Sequence, residues 1–355
     1  MGMVERIKKI RNFMEESRLD LFLVTKPENI RYLSAFSAGS DARLVISSDG
    51  QYIFTDSRYI EQAKRECPDW ELMQEHVGRL DSLAGICDKY NRLAVESHCL
   101  SYDLFQQYAT RLKSELVPLA NTIERQRAVK DELELDLLTT SARIGDSVFN
   151  QICLEIQEGL SERYIANRIT YLLKEKGSTR ESFDTIAVSG ENAALPHGQP
   201  GNRLLRRGDM LTLDFGGFYQ GYAGDMTRTV VIGEASPKLR DMYLEVLEAQ
   251  ELGVSLVKAG VSCREIDMQV RECLRKYGLD VYFQHGTGHG VGLEIHEIPR
   301  LSPLSDDVLE EGMVVTVEPG VYIPGWGGIR IEDTVIVKKG GCEIITRSDK
   351  GLLII

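Results

Sequence analysis

Two aspartates in the second half of the chain are spaced so that a hairpin would bring them together. Residues 207–216 alternate apolar and polar side chains with a period of two, which predicts a half-buried strand that contains Asp214. A second strand is predicted over 224–231, and a turn centred on 219–220 would place Asp214 opposite Asp225. Because opposed Cβ atoms lie only about 4.5–5.5 Å apart, the two carboxylates would repel each other unless a proton or a cation lay between them.

A second pair of carboxylates is predicted near the C-terminus. Alternating stretches at 313–318 and 329–337 predict two strands, and a hairpin centred on Gly325 would place Glu318 opposite Glu332. Both registers are assumptions, because a bulge at a flanking glycine would shift them. A pair of divalent ions about 3.5–4 Å apart is one arrangement that suits two such carboxylate pairs.

Histidines are concentrated in the same part of the chain. Four of the six lie in its second half, and His285, His289 and His296 fall within twelve residues of one another. The glycines between them let the backbone approach a site closely, but the segment lacks the GKS/T and the strand-to-helix context of a phosphate-binding loop. Imidazole combined with carboxylates suits Mn, Co, Fe or Zn, whereas sites built only from oxygen suit Mg or Ca. The two remaining histidines, His76 and His98, are predicted to be surface residues.

The composition excludes several classes of protein. The chain has 355 residues, of which 43% are hydrophobic and 27% are charged, as in an ordinary globular enzyme. A net charge of −12 leaves no basic surface for nucleic acid. The N-terminal residues are charged throughout, unlike a signal peptide, and no stretch reaches the roughly 18 apolar residues of a membrane span. The seven cysteines are scattered without a CxxC pair, so we expect a reduced, cytoplasmic protein that binds no membrane.

The elements that must position these residues fall into two predicted domains, 1–122 and 123–355. The first is predicted to be α/β, with a short apolar strand at 21–24 and a hairpin indicated by Asp49-Gly50 between apolar runs. The second is predicted to be α+β, with helices packed on a largely antiparallel sheet.

Three helix starts in the second domain are indicated by their first residues. Ser161 precedes a helical pattern as a cap, and Pro237 stands at a first helical position. Ser262 and Glu265 have the spacing of a capping box, which predicts the start of a further helix.

Five short motifs together resemble the ligand pattern of the pita-bread metallopeptidases, the family of methionine aminopeptidase, aminopeptidase P and prolidase. They are Asp214 in LDFG, Asp225 in GDMTRT, His289 in HGTGHGVG, Glu318 in VEPG and Glu332 in RIED. The resemblance covers about residues 125–350 and implies a pita-bread catalytic domain. The first third, with LFLV at 21–24 and NIRYL at 29–33, is similar to the creatinase-type N-terminal domain of Xaa-Pro peptidases, which methionine aminopeptidases lack.

The resemblance implies a role for each ligand. Asp214 would chelate one metal ion, Asp225 and Glu332 would bridge both ions, and His289 with Glu318 would complete the other. A water or hydroxide that bridges the two divalent ions would attack, with Mn or Co favoured and Zn or Fe as alternatives. Glu318 would also move the proton of that water to the leaving proline nitrogen.

The resemblance also assigns residues that contact substrate. His197 and His296 match histidines that bind substrate and stabilise the tetrahedral intermediate, and His285 matches one that shapes the proline pocket. Arg330, which alternates with Glu332, is either a partner of the ligating carboxylates or a charge that contacts substrate.

The predicted function is hydrolysis of the Xaa-Pro bond in dipeptides or short peptides, in a homodimer. Dipeptidase and aminopeptidase P activity both remain open at this point. Two other functions are alternatives: a creatinase-like hydrolase of a C–N bond that needs no metal, and a pita-bread binding module without catalysis. The presence of all five ligands argues against both.

Overall fold

The computed structural model describes residues 2–75 and 80–355. It divides into two compact units, Met1–Arg127 and Ala128–Ile355. The expected domain boundary between residues 122 and 123 falls where the last helix of the first unit begins, and it stays a prediction. His76, expected at the surface, lies outside the described residues, whereas His98 is exposed as expected.

The first unit is a mixed sheet flanked by helices. The described strands are β1 (Leu21–Val24), β2 (Ala42–Ser47), β3 (Gln51–Thr55), β4 (Glu71–Gln74), β5 (Arg92–Glu96) and β6 (Glu115–Leu119). They follow the order β4-β3-β2-β1-β5-β6; β2 runs antiparallel to its two neighbours, and the other pairs are parallel. The pairing of β2 with β3 confirms the hairpin predicted at Asp49-Gly50. The helices are α1 (Met3–Glu16), α2 (Pro27–Ser34), α3 (Ile60–Glu66), α4 (Asp81–Cys87), α5 (Tyr102–Arg111) and α6 (Thr122–Ala128).

The second unit packs helices on antiparallel sheets, as predicted. Every pair between its strands is antiparallel, in three sheets of three or more strands and one separate hairpin. The helices are α7 (Glu132–Glu155), α8 (Glu162–Glu175), α9 (Pro237–Leu256) and α10 (Cys263–Arg275). The strands are β7 (Arg180–Glu181), β8 (Ile186–Ser189), β9 (Met210–Phe215), β10 (Gly217–Tyr219), β11 (Tyr222–Ala223), β12 (Met226–Val231), β13 (Gly288–Gly290), β14 (Glu297–Leu301), β15 (Val314–Val317), β16 (Gly320–Ile323), β17 (Gly327–Arg330), β18 (Asp333–Lys338) and β19 (Gly341–Ile344).

All three helices begin where predicted, but one of the three predicted start signals is not confirmed in detail. The Ser161 hydroxyl accepts a hydrogen bond from the backbone N–H of Tyr164, and Pro237 opens α9 after the capping Ser236. The capping box at Ser262 is wrong, because its side chain makes no capping hydrogen bond. Its backbone instead pairs with Val308 in an isolated bridge, which holds the start of α10 in another way.

Apolar faces of the strands turn toward the helices and leave polar faces for the site. Leu211, Leu213 and Phe215 of β9 belong to a core cluster with side chains of α7 and α8. The alternate residues of β9 point to the opposite face, where the hydroxyls of Thr212 and Thr229 lie 3.3 Å apart. The predicted period of two is therefore confirmed in this strand. The expectation that the strand is half-buried is wrong, since all six of its residues are buried. Among the described residues, no helix is both long enough and apolar enough to cross the membrane.

Candidate metal centre

The predicted pairing of Asp214 with Asp225 is wrong by two residues. In the structure Asp214 lies opposite Thr227, and Asp225 precedes the first residue of β12. The turn is centred between Gln220 and Gly221, both of which have positive φ angles, 47° and 88°. Positive φ at both central residues defines the two-residue turn that best matches the twist of a hairpin, and it moves the centre by one position.

The register predicted for the second hairpin is confirmed, although its strands are interrupted. Val317 pairs with Asp333 and Gly320 pairs with Arg330, and both pairs are centred on Gly325 as predicted. Glu318 and Glu332 occupy the gap between these pairs. Their backbone N–H groups donate to other strands and loops instead, to Thr287 at 2.8 Å and to Thr227 at 3.1 Å respectively.

Three carboxylates meet at one buried point. Asp214, Asp225 and Glu332 each offer a ligand atom, and these atoms all lie within 4.8 Å of one another. The three residues are only 9%, 6% and 1% exposed. One oxygen of Asp214 and one of Glu332 are buried without a hydrogen-bond partner. Because burying an unpaired carboxylate oxygen is costly, these orphaned atoms fit a bound cation.

The same crowding perturbs the ionisation of the three carboxyls. Burial raises the pKa of Asp225 well above its usual value, and the charges of Glu332, Asp214 and Glu318 raise it further. Burial and the neighbouring carboxylates likewise raise the pKa of Glu332 well above its usual value. Burial also raises the pKa of Asp214, against the opposing charge of Arg330. Like charges held together in this way need either protons or a cation to neutralise them.

His289 and Glu318 border the three carboxylates. The Nε2 atom of His289 lies 3.5 Å from Asp225 and 3.3 Å from Glu318, while its Nδ1 lies 3.1 Å from the carbonyl oxygen of Gly290. That carbonyl orients the ring so that Nε2 faces the carboxylates. Burial opposes ionisation of Glu318, but the hydrogen bond and charge of His289, together with the charges of His285 and Arg330, lower the pKa of Glu318 to about 2. One imidazole and four carboxylates thus line the same cavity.

The remaining predicted site residues line the same cavity, which has a volume of about 400 Å³. His296 packs edge-on against His289 with ring centroids 4.3 Å apart, and His197 lies on the cavity wall. The Nε2 of His285 lies 2.8 Å from the Tyr322 hydroxyl, and burial lowers the pKa of this imidazole.

Arg330 is buried beside the carboxylates. Its guanidinium donates to Asp214, to the Tyr322 hydroxyl at 2.6 Å and to the Thr227 hydroxyl at 3.1 Å. Of the two roles left open for it, contact with a candidate ligand is the one seen in the structure. Arg330 also lines the cavity.

The sequence prediction missed several residues of the site, of which three carry its hydrogen bonds or charge. The Thr227 hydroxyl donates to Glu332 at 2.7 Å, and Tyr322 connects Arg330 with His285. Arg300 lines the cavity from β14, where it pairs with His289. The correct hairpin register would have found Thr227, since it lies opposite Asp214, whereas no local signal distinguishes Arg300.

Comparison with known proteins identifies the family. Residues 136–339 match the family described as metallopeptidase family M24, and residues 6–129 match the creatinase/prolidase N-terminal domain. The chain belongs to metallopeptidase family M24. This membership confirms the predicted fold class, a pita-bread catalytic domain preceded by a creatinase-type domain, and with it the metallopeptidase class. A metal-independent hydrolase and a non-catalytic module are not favoured.

Relatives of this M24 chain are similar over nearly its whole length. It is 38% identical to the uncharacterized peptidase YqhT of Bacillus subtilis, over 99% of this chain and 100% of that protein. It is 36% identical to the Xaa-Pro dipeptidase of Pyrococcus furiosus, with the same coverage. Among solved structures, an Xaa-Pro dipeptidase from Bacillus anthracis superposes with a TM-score of 0.96 at 40% identity, covering 100% of both chains. An X-Pro aminopeptidase from Thermotoga maritima superposes with a TM-score of 0.90 at 35% identity, covering 95% of this chain and 98% of that one.

Proposed function

We propose that this chain hydrolyses the Xaa-Pro bond of dipeptides with the help of two divalent metal ions. The observation that carries the proposal is the cluster of Asp214, Asp225 and Glu332, buried, mutually close and with two orphaned oxygens, at the wall of a cavity. Relatives and solved structures named Xaa-Pro dipeptidase, at 36% and 40% identity, support the substrate class.

Five side chains are proposed as the metal ligands: Asp214, Asp225, His289, Glu318 and Glu332. Asp225 and Glu332 would hold the ions together with Asp214, the third member of the buried cluster. A donor set of carboxylates with one imidazole favours Mn or Co, with Zn and Fe as alternatives. When bound, the two ions supply Lewis acidity, which lowers the pKa of a water molecule and polarises the scissile carbonyl.

Glu318 is proposed to move the proton that the reaction requires. The nitrogen of an Xaa-Pro bond is a tertiary amide without a hydrogen, so it leaves only when it is protonated. The Glu318 carboxylate lies on the cavity wall, next to His289 and 3.4 Å from the Thr316 hydroxyl. A carboxylate held at that position is able to take a proton from water and deliver it to the proline nitrogen.

The cavity histidines are proposed to contact the substrate. His197 and His296 would donate hydrogen bonds to the carbonyl oxygen as it gains negative charge. His285, held by the Tyr322 hydroxyl and the carbonyl oxygen of Gly286, would form a wall of the proline pocket. Arg330 would orient Asp214, to which its guanidinium donates.

The position of Arg300 supports dipeptidase activity rather than aminopeptidase activity. This exposed side chain provides a positive charge in the same cavity, on the strand that pairs with His289. A dipeptide carries a free carboxylate on its proline, and an arginine guanidinium binds a carboxylate through two parallel hydrogen bonds. A longer peptide has an amide at that position and gains nothing from the charge.

A substrate comparison tests this proposal. Ala-Pro, Ala-Pro-amide and Ala-Pro-Ala are each assayed with Mn²⁺ or Co²⁺ and after chelation. We expect metal-dependent cleavage of Ala-Pro and a KM about 10–100-fold higher for Ala-Pro in R300M, since a hydrogen bond to a charged group contributes about 1.5–3 kcal/mol. The exposed Arg206 provides the control, and R206M should retain the wild-type KM.

Two results would contradict the proposal. Faster cleavage of Ala-Pro-Ala than of Ala-Pro would show aminopeptidase rather than dipeptidase activity. If none of the three peptides were cleaved in a metal-dependent way, the proposed Xaa-Pro hydrolysis would be wrong.

We also propose that the enzyme is a cytoplasmic homodimer. The seven cysteines are all free and the family resemblance implies dimers. Analytical ultracentrifugation of the full chain measures the oligomeric state directly.

A further inference from the structure

A largely buried polar cluster adjoins the candidate ligands, and none of its members lines the cavity. We call it the rear cluster; it consists of Arg228, Gln250, Asp333, Thr346 and Lys350. Its centre is Asp333, the residue after Glu332. The Asp333 carboxylate accepts four hydrogen bonds, from Arg228 at 2.9 Å and Thr346 at 3.0 Å on one oxygen, and from Gln250 at 3.0 Å and Lys350 at 2.8 Å on the other.

The rear cluster donates hydrogen bonds to the backbone next to the candidate ligands. Arg228 donates to the carbonyl oxygen of Glu332 itself and to that of Thr227 at 3.0 Å. Gln250 donates to the carbonyl oxygen of Val317 at 3.4 Å, and Val317 directly precedes Glu318. One cluster therefore reaches the backbone of two segments that carry ligands.

Several hydrogen bonds hold the C-terminal segment 346–350, which contributes Thr346 and Lys350 to the rear cluster. Asp146 of α7 accepts hydrogen bonds from the backbone N–H groups of Arg347 and Ser348, and the carbonyl oxygen of Ser348 accepts one from Arg228 at 2.9 Å. Tyr243 of α9 donates to the carbonyl oxygen of Lys350 at 2.9 Å. The segment is thus held by two helices while it supplies two donors to Asp333.

Stability alone is a weak explanation for such a cluster. Replacing a buried ion pair by well-packed apolar residues is often neutral or stabilising, so a buried pair is weak evidence for a stabilising role. A metal site has a different requirement, because losing a residue that orients a ligand typically costs about 10–100-fold in metal affinity or activity. The rear cluster satisfies that requirement, because its hydrogen bonds fix the position of the backbone next to the candidate ligands.

We propose that Asp333 and Lys350 are positioning residues for the metal centre, so that the C-terminal segment sets the affinity for the metal ions. The proposal rests on the metal centre of the proposed function. Lys350 is the better residue to change, since its side chain is 22% exposed whereas that of Asp333 is 2% exposed. Without Lys350, Asp333 would keep its ion pair with Arg228, so the fold is expected to survive.

The experiment measures metal binding rather than turnover. Full-length wild-type chain, K350M and K350R are stripped of metal and titrated with Mn²⁺ by calorimetry, and the absorption spectrum of the Co²⁺ form is recorded. We expect the dissociation constant of the weaker-bound ion to rise about 10–100-fold in K350M and to recover in K350R, which restores a cationic donor. The matched control is K339M, the same change at a side chain that is 86% exposed.

Unchanged Mn²⁺ affinity and an unchanged Co²⁺ spectrum in K350M would overturn the inference, whatever happens to its thermal stability. If K350M does not fold, T346V is measured instead; it removes one donor to Asp333 and the acceptor of the Thr334 backbone N–H, and a wild-type dissociation constant there would also overturn the inference. A wild-type chain that binds two ions but cleaves no Xaa-Pro peptide would contradict the proposed function alone. The two failures are therefore distinguishable.

Discussion

The side chains of the candidate metal centre differ in their solvent exposure, and this difference distinguishes their proposed roles. The side chain of Glu318 is 18% exposed, against 12% for Asp214 and 6% for Asp225. Glu332 is the most deeply buried and hydrogen-bonds to Thr227. A group that exchanges protons with substrate needs access to the cavity, whereas a bridging ligand needs only to be fixed. Glu318 is therefore the carboxylate best placed for proton transfer.

Replacing Glu318 tests this role. We expect E318A to lose about 10²–10⁴-fold in kcat for Ala-Pro at saturating metal, because the leaving nitrogen would no longer be protonated. Circular dichroism should show an unchanged fold. The control is E310A, the same change at an exposed glutamate, and it should keep full activity. Wild-type turnover in E318A would show that another group supplies the proton.

At the scale of elements, glycines allow the ligand-bearing strands to come close together. A Cβ atom at Gly288, next to His289, would lie 1.9 Å from the carbonyl oxygen of Thr316 on β15. A Cβ atom at Gly216, two residues after Asp214, would lie 1.8 Å from the carbonyl oxygen of Gly224. A backbone carbonyl group cannot move aside as the end of a flexible side chain can, so these two positions require glycine.

The substitution G288A should therefore displace His289. We expect a loss of at least about 1–3 kcal/mol in the free energy of unfolding, as for an overpacked core, together with weaker Mn²⁺ binding. Denaturant unfolding and calorimetric titration measure the two effects. G340A is the control, because a Cβ atom there meets nothing within 4 Å. Equal stability and metal affinity in the two variants would show that β13 and β15 do not need this close approach.

At the scale of the whole molecule, the charge balance depends on the metal ions. The chain has a net charge of −12, and four of its carboxylates line one cavity: Asp214, Asp225, Glu318 and Glu332. Two divalent ions would add four positive charges at that point. Without them, the folded state confines like charges that the unfolded chain would separate, so metal loss should weaken the fold.

The pH dependence of the metal-free protein follows from the raised pKa values of Asp225 and Glu332. A carboxyl whose pKa is higher in the folded state stabilises the fold at pH values below its ordinary pKa, and this contribution is lost as the pH rises through the raised value. We therefore expect chelated protein to lose stability as the pH rises above about 4. Saturating Mn²⁺ should add about 4 kcal/mol at a concentration 1,000 times its dissociation constant.

Substitution of one carboxyl isolates this effect. In the presence of chelator, D225N should unfold at a higher temperature than the wild type at pH 8, whereas with Mn²⁺ the order should reverse. Thermal unfolding at several pH values measures both. D136N, at an exposed position on α7, controls for the loss of one negative charge. If chelated D225N and wild type showed the same pH dependence, the crowded carboxyls would not be the cause.

The sequence by itself determined the candidate ligand set, the α+β class of the second domain and the register of the second hairpin. Each of these depends on local information. The five motifs are short, the alternation of β9 is visible over six residues, and Gly325 marks a turn between strands only a few residues apart. Hydrophobic periodicity and turn chemistry operate at this range, so they are readable without a structure.

Only the tertiary structure decided how the ligands are held. Arg330 contacts Asp214 across 116 residues, and Arg228 reaches Ser348 across 120. Contacts over such separations depend on how whole elements pack, and no local pattern along the chain specifies that packing.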